Sequence, residues 1–521
     1  MYLNTDIGYK NLNKLLKDKS LYVDKSEILS LLNKRIDTDR CYICITRPRR
    51  FGKSQITYML ESYYSKAVDS EDIFNTLNIS KFEGYKQHLN QYNVIRIDFS
   101  SIDTLELDFK GYLGVIKRQL SMELEKLYTT QHLEQYIDLP AKLLATKDKF
   151  IFIIDEWDFI FNKGLYISNQ EDFLEFLRLL LKDRPYVALC YMTGILPIKK
   201  YSTGSALNMF SEYSFLNDSV FDKYFGFTQT EVKLLCESRQ GISYNEIAEW
   251  YNGYVTEDNL RLFNPRSVKE ALENNKCKSY WSNVGSMNEV TKLLRLNSKG
   301  VRDDVIRMLN KEAIPITIRR EFRAGSDIPT TREDIYSAMI TWGFLSYYNE
   351  EIRIPNYELM IEFELALRDM SFGTVAELIG NSDDMLRATL ALDTDKVAQI
   401  VHEIHNSEIP VLKYTDENST SCVLTLAYLS ARNRYIIERE EKSGKGFVDF
   451  VFKPRNSIDL PIIVELKRNS STRTALKQVM EREYVDKYMK IYKRDVVVVA
   501  INYSDKKKMH SCAIVQVEYK Y

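Results

Sequence analysis

Cys41-Tyr42-Ile43-Cys44-Ile45-Thr46-Arg47-Pro48-Arg49-Arg50-Phe51-Gly52-Lys53-Ser54, followed by Gln55-Ile56-Thr57-Tyr58-Met59-Leu60-Glu61-Ser62-Tyr63-Tyr64, decides the fold. The apolar run 41–46 reads as a buried strand and 55–64 as an amphipathic helix. Between them a basic loop ends in Gly-Lys-Ser. In that arrangement backbone N–H groups and a helix N-terminus face the phosphates of a nucleoside triphosphate. The lysine neutralises the β/γ oxygens and the hydroxyl reaches Mg²⁺. The full pattern G-x-x-x-x-G-K-[ST] begins with glycine, where this chain has Arg47. A tight turn without that glycine is made at some conformational cost.

Further apolar runs flank this stretch: 92–98, 150–155 and 186–193, separated by helical patterns. Continuous apolar runs alternating with helices predict a parallel sheet covered on both faces, an α/β fold, over residues 1–215. Residues 216–365 read as mainly helical, with Ile335 to Tyr348 and then 352–356 as the helix and hairpin of a winged-helix-like module. Residues 366–521 read as a third unit. It has helices 357–380 and 384–405 as connectors, a helix near 416–431, strands 434–439, 447–452 and 461–467, a basic helix 472–490, and strands 495–501 and 512–518. At 521 residues the chain is long enough for three domains.

The run Ile151-Phe152-Ile153-Ile154-Asp155-Glu156 places two carboxylates at the C-terminal edge of a buried strand, where phosphate ligands sit in such sheets. Asp155 and Ser54 are the metal ligands expected there, and Glu156 the residue that orients and deprotonates a water. Thr193 ends the next strand, within reach of a γ-phosphate. Arg47, Arg49, Arg50, Phe51, Gly52, Lys53 and Ser54, with Asp155 and Thr193, form the expected nucleotide-binding set. For the three arginines the alternative is a solvated basic loop.

The second constellation is Asp449, Glu465 and Lys467. Alternate residues of a strand share a face, so Glu465 and Lys467 project together, and Asp449 lies on the preceding strand of a hairpin. Two carboxylates and a lysine so placed suit metal-dependent phosphodiester hydrolysis: Asp449 and Glu465 as ligands of Mg²⁺ (or Mn²⁺), Lys467 positioning the nucleophile or stabilising developing charge. The alternative is a polar strand face in water. Arg468, Arg473, Lys477, Arg482, Lys487 and Lys490 offer a basic surface beside it, interleaved with Glu481, Glu483 and Asp486. Lys506-Lys507-Lys508 reads as an exposed loop.

Composition narrows the field. With 45% hydrophobic and 28% charged residues the chain has the make-up of a globular protein. Its net charge of −1 leaves any nucleic-acid site to a local basic patch. Seven scattered cysteines read as reduced thiols of a cytoplasmic protein, with Cys41 and Cys44 as core. The start Met1-Tyr2-Leu3-Asn4-Thr5-Asp6 lacks a signal pattern, and no apolar run is long enough for a membrane span. His402 and His405 lack the spacing of a zinc protease.

Thr46-Arg47-Pro48-Arg49-Arg50-Phe51-Gly52-Lys53-Ser54 resembles the "TRPRRFGKS" loop of the bacterial AAA-ATPase-like proteins. Tyr22-Val23-Asp24-Lys25-Ser26, Ile154-Asp155-Glu156-Trp157-Asp158, Thr193-Gly194-Ile195, Phe225-Gly226-Phe227-Thr228, Trp250-Tyr251-Asn252-Gly253-Tyr254 and Phe263-Asn264-Pro265-Arg266-Ser267 are similar to further signatures of that family, in order. Asp449, Ile463-Val464-Glu465-Leu466-Lys467 and Ala475-Leu476-Lys477-Gln478-Val479 with Tyr484 resemble the PD-(D/E)XK nuclease superfamily, a restriction-endonuclease-like α/β domain. The resemblance implies catalytic roles for Glu417, Asp449, Glu465, Lys467 and Gln478. Together these readings imply an ATP-binding, Mg²⁺-dependent nuclease acting on nucleic acid, DNA before RNA. A homo-oligomer or a protein partner is compatible with them. The alternative is a nucleotide-switched module that binds nucleic acid or a partner, toxin- or effector-like, without cutting.

Overall fold

The computed structural model describes residues 2–17, 21–198, 206–239, 241–281, 287–296, 300–318, 322–324, 329–368, 380–406, 417–443, 446–481 and 484–520. The chain folds as two compact units, Met1–Ser286 with Pro315–Leu359, and Met287–Ile314 with Met360–Tyr521. The stretch 216–365 is thus shared between the two units, with 287–314 given to the second. A contact-based division cuts through a region whose helical pattern is uniform along the sequence.

The first unit is built on an all-parallel five-stranded sheet of order β2-β3-β4-β1-β5. Its strands are β1 (Tyr42–Thr46), β2 (Asn93–Asp98), β3 (Phe150–Asp155), β4 (Val187–Gly194) and β5 (Ser211–Tyr213). Every residue of β1, β3 and β4 is buried, as expected of parallel strands covered on both faces. The sheet order puts β4 between β1 and β3, so the end of β4 separates the Gly-Lys-Ser loop after β1 from the carboxylates after β3. Asp98 pairs in register with Asp155 across β2 and β3, and Thr46 with Gly194 across β1 and β4. Beyond the sheet come β6 (Phe227–Thr228), β7 (Asn252–Val255) and β8 (Arg261–Phe263), a small antiparallel sheet of order β6-β8-β7.

The chain returns to the first unit at β9 (Ile314–Pro315). The helix Arg332–Trp342 follows, then the hairpin of β10 (Ser346–Tyr348) and β11 (Glu351–Arg353). The apolar run 335–348 is therefore not one helix. Gly343 closes the helix in the left-handed conformation, φ 86°, and its Cα abuts the phosphate loop: a Cβ there would lie 2.6 Å from the Cβ of Pro48.

The second unit carries the mixed sheet β12-β13-β14-β15-β16, in which only β14 and β15 run parallel. Its strands are β12 (Tyr435–Ser443), β13 (Gly446–Pro454), β14 (Ile462–Arg468), β15 (Val496–Ser504) and β16 (Met509–Val517). The central strand β14 is buried through Val464, and β15 through Asn502. The helical stretch 472–490 is two helices, Thr472–Glu481 and Tyr484–Tyr492. Val479, Val485 and Tyr488 pack them on Val451, Ile463 and Val498.

His405 and His510 are buried here, their ring centroids 5.1 Å apart. Burial holds the imidazole of His405 down to about 4 and that of His510 to about 3, with each other's charge adding. Between the ordinary histidine value and these, the unfolded chain binds more protons than the folded one, so stability must fall as pH drops from about 6.5 towards 4. Thermal melts at pH 7 and pH 5 are expected to show this loss, and His510→Asn to reduce it.

All seven cysteines are free, and Cys41 and Cys44 lie in the core. No helix among the described residues is long and apolar enough to cross a membrane.

Candidate functional site

Two sites stand at strand ends, one in each unit. In the first, Gly52 caps the helix Lys53–Tyr64 at φ 89°, a conformation open to glycine at little cost. Lys53 is 5% exposed, and its ammonium donates to the carbonyls of Arg47 at 3.0 Å and Pro48 at 3.1 Å. No carboxylate among the described residues lies within ion-pair distance of it. A buried cation held only by neutral carbonyls is incompletely compensated, which is the electrostatic condition for taking an anion.

Asp155, 1% exposed, stands across from it. Burial and the neighbouring carboxylates of Glu156 and Asp98 push its carboxyl up to about 6, while the Ser54 hydroxyl and Arg96 pull it down. Thr57 donates to it at 3.3 Å. A buried carboxylate beside a serine hydroxyl, with acidic neighbours raising the local negative potential, is a donor set that fits a hard divalent cation. Glu156 is half-exposed and sits in the left-handed region, φ 49°, which costs on the order of 1 kcal/mol. Thr193, fully buried, donates its hydroxyl to the carbonyl of Ile45, tying the end of β4 to β1.

The arginines of the loop are turned to other partners. Arg47, 1% exposed, forms an ion pair with Asp218 and donates to the carbonyls of Thr46 at 2.8 Å and Tyr213 at 3.0 Å. Arg50 donates to the carbonyls of Tyr280 and Trp281 at 2.9 and 2.7 Å and lies over the Trp281 ring. Phe51 is buried between Phe215 and Tyr254. These three side chains anchor the loop. Arg49 stays half-exposed beside it.

In the second unit Asp449 and Glu465 come together. The printed pairing of β13 and β14 runs to Phe450↔Val464, which sets Asp449 opposite Glu465, and Asp449 Oδ2 accepts the backbone N–H of Leu466 at 2.7 Å. Glu465 is 2% exposed. Its Oε1 accepts from Lys467 Nζ at 2.8 Å and from Gln478 Nε2 at 2.7 Å, while its Oε2 is buried with no hydrogen-bond partner among the described residues. Native proteins seldom leave a buried carboxylate oxygen unsatisfied. One orphaned oxygen beside a second carboxylate fits a divalent cation. Glu417 opens the helix Glu417–Ala427, but its side chain lies outside the described residues, as does Arg482. Arg473 and Lys477 are exposed on the helix that carries Gln478.

Residues 6–203 match the family of predicted AAA-ATPases. Residues 416–512 match the PD-(D/E)XK nuclease superfamily. The Gly-Lys-Ser site lies within the AAA-ATPase-like region, and the Asp449–Glu465 pair within the nuclease-like region. No curated protein matches the chain. Among solved structures, a Walker-type ATPase of Pyrococcus abyssi aligns with 65% of this chain and 94% of its own, at 12% identity and a TM-score of 0.35, too slight a likeness to carry an argument.

Among the described residues no three His, Cys, Asp or Glu side chains are set together as a metal cage. Each site offers fewer protein donors, as suits a cation that keeps open positions for substrate oxygens.

Two residues of the AAA-ATPase-like region escaped the sequence reading. Arg96 lies 3.9 Å from Asp155, 4.0 Å from Asp98 and 3.6 Å from Glu61, a buried cation among three acids. An arginine inside the otherwise apolar strand Val94–Ile97 was the available signal, since such a residue must be paired. Asp158, fully buried, accepts the N–H groups of Ile195 at 3.1 Å and Leu196 at 2.7 Å and so fixes the chain after β4. Burial pushes its carboxyl up, with Glu156 adding and Lys53 opposing.

Proposed function

We propose that the chain is an ATP-binding nuclease that hydrolyses phosphodiester bonds of nucleic acid with Mg²⁺ or Mn²⁺. The observation that carries the reading is the orphaned Oε2 of Glu465 beside Asp449, with Lys467 and Gln478 fixed on the other oxygen. Asp449 and Glu465 would hold the cation, and a cation there lowers the pKa of a bound water and neutralises charge on the phosphate. Gln478 holds Glu465 in one orientation. Lys467, a quarter exposed, reaches from the buried carboxylate towards solvent, where it can meet the oxyanion that develops on phosphorus. Arg473 and Lys477 would contact flanking phosphates.

In the AAA-ATPase-like region, Lys53, Gly52 and the helix N-terminus would receive the triphosphate, Ser54 and Asp155 its cation, Glu156 a water, and Arg49 a phosphate oxygen. Arg47, Arg50 and Phe51 hold that loop in place. Thr193 acts by the same tie, joining β4 to β1. DNA as substrate and regulation of cutting by ATP are parts of the proposal supported by the pairing of the two regions in one chain.

The test is cleavage of double-stranded DNA, single-stranded DNA and RNA by the full chain with Mg²⁺ or Mn²⁺, with and without ATP. Cleavage is expected in metal and absent in EDTA, and Asp449→Ala and Lys467→Ala should abolish it. Gln478→Ala, which loosens a metal-binding carboxylate, should lower the rate about 10–100-fold. Cleavage that survives both Asp449→Ala and Lys467→Ala would refute the assignment.

A further inference from the structure

Beside Gly52 lies a pocket of about 470 Å³, counted to its mouth, inside the range of about 300–1,000 Å³ in which small-molecule sites fall. Its floor is the helix after the phosphate loop, through Ile56 and Met59. Its walls are Tyr22 and Val23 on one side and Phe227 and Pro265 on the other. Gln55, exposed, stands at its rim, one residue past Ser54. Ser54 faces Asp155, so the rim near Gln55 is the end of the loop away from the expected cation. A triphosphate seated on Lys53 therefore carries its nucleoside towards this pocket.

The wall at 22–23 is built for presentation. Lys25 donates to both oxygens of Glu231 at 2.7 and 2.8 Å and to the carbonyl of Lys223 at 2.8 Å. Asp24 accepts the N–H groups of Ser26 at 2.8 Å and Asn78 at 2.6 Å, and Ser26 Oγ accepts that of Ile79 at 3.0 Å. Three consecutive polar side chains thus pin the segment. The main-chain N–H and C=O groups of Tyr22 and Val23 themselves make no hydrogen bond among the described residues. An ordered, extended peptide with an open polar edge, facing an apolar slot, presents a donor and an acceptor side by side. The hydrogen-bonding edge of a purine presents the complementary pair, and its two fused rings fill more of an apolar slot than a pyrimidine does. The opposite wall is fixed as firmly. Asn264 accepts the N–H groups of Arg266 and Ser267 at 3.1 and 3.3 Å, which seats Pro265 as the first residue of the helix Pro265–Asn274.

We infer that this pocket is the base site of the nucleotide, and that the ligand of the first unit is a purine nucleoside triphosphate rather than any polyphosphate. The inference rests on the phosphate-loop reading above and adds base recognition to it. Resemblance alone singled out Tyr22-Val23-Asp24-Lys25-Ser26, Phe225-Gly226-Phe227-Thr228 and Phe263-Asn264-Pro265-Arg266-Ser267; here they meet around one cavity.

The experiment is calorimetric titration of the full chain with ATP, GTP, CTP and inorganic triphosphate, each as its Mg²⁺ complex. ATP or GTP is expected to bind at least about tenfold tighter than CTP and inorganic triphosphate. Gln55→Trp, a change at an exposed position, should close the rim. It should weaken ATP about tenfold or more and leave inorganic triphosphate within about twofold. Lys53→Ala should weaken both together. Equal affinity of the wild-type chain for ATP and inorganic triphosphate, CTP binding as tightly as ATP, or equal loss of both ligands in Gln55→Trp would overturn the base site while leaving the phosphate loop standing. Unchanged binding of both ligands in Lys53→Ala would instead overturn the phosphate-loop reading.

Discussion

Glu465→Gln is expected to reduce cleavage by about 10³-fold or more, beyond the range of about 10–100-fold for residues that only orient a ligand, while the second unit melts no lower than the wild type. The two halves of that expectation come from one fact. Glu465 is a 2% exposed carboxylate with one oxygen satisfied and the other orphaned. Burying a charge without full compensation costs several kcal/mol, only partly offset by Lys467 and Gln478. The amide is nearly isosteric and removes the charge, so the fold loses little and is relieved of an unpaired anion. The site loses the anionic donor that a hard cation requires. Activity measured beside a thermal melt separates the alternatives: lost activity with a lower melting temperature would make Glu465 a structural residue.

Arg47→Ala carries the second large effect, on stability. The guanidinium and the Asp218 carboxylate are both essentially inaccessible to water. Removing one member of such a pair leaves the other buried and uncompensated, at about 3–5 kcal/mol. Against the roughly 5–15 kcal/mol by which domains are stable, that is enough to unfold a large share of the first unit. The Asp218 carboxylate also accepts the N–H groups of Val220 and Phe221 at 2.7 and 2.8 Å, so the loss spreads to that turn. Replacing both partners, Arg47→Met with Asp218→Leu, should recover most of it. Lys53→Ala is expected to do the reverse, abolishing nucleotide binding with little change in denaturant midpoint. If Arg47→Ala instead stayed stable and lost nucleotide, Arg47 would be a phosphate ligand after all.

The contrast between Arg47 and Lys53 shows what could be read in the chain before any coordinates. The strands were legible because residues buried on both faces form continuous apolar runs, as in Phe150–Asp155 and Val496–Ile501. The carboxylates at 155 and 465 were legible because strand ends and two-residue periodicity fix where side chains point. The basic loop was read by residue type alone. Its arginines find partners at 213, 218, 280 and 281, separations that no local pattern encodes. Arg96 and Asp158 were missed for the same reason: each is defined by what it meets across the sheet. The break of the run 335–348 at Gly343 was marked by a residue that commonly ends helices, yet the apolar periodicity on either side outweighed it.

The central claim is that one chain holds two separate hard-cation sites for phosphorus–oxygen chemistry. Titration of the full chain with Mn²⁺, followed by electron paramagnetic resonance, tests it most directly. Two bound ions per chain are expected with ATP present: one that needs ATP and disappears in Lys53→Ala, and one that needs no ATP and disappears in Glu465→Gln. No ATP-independent ion, or one that persists unchanged in Glu465→Gln, would contradict the account.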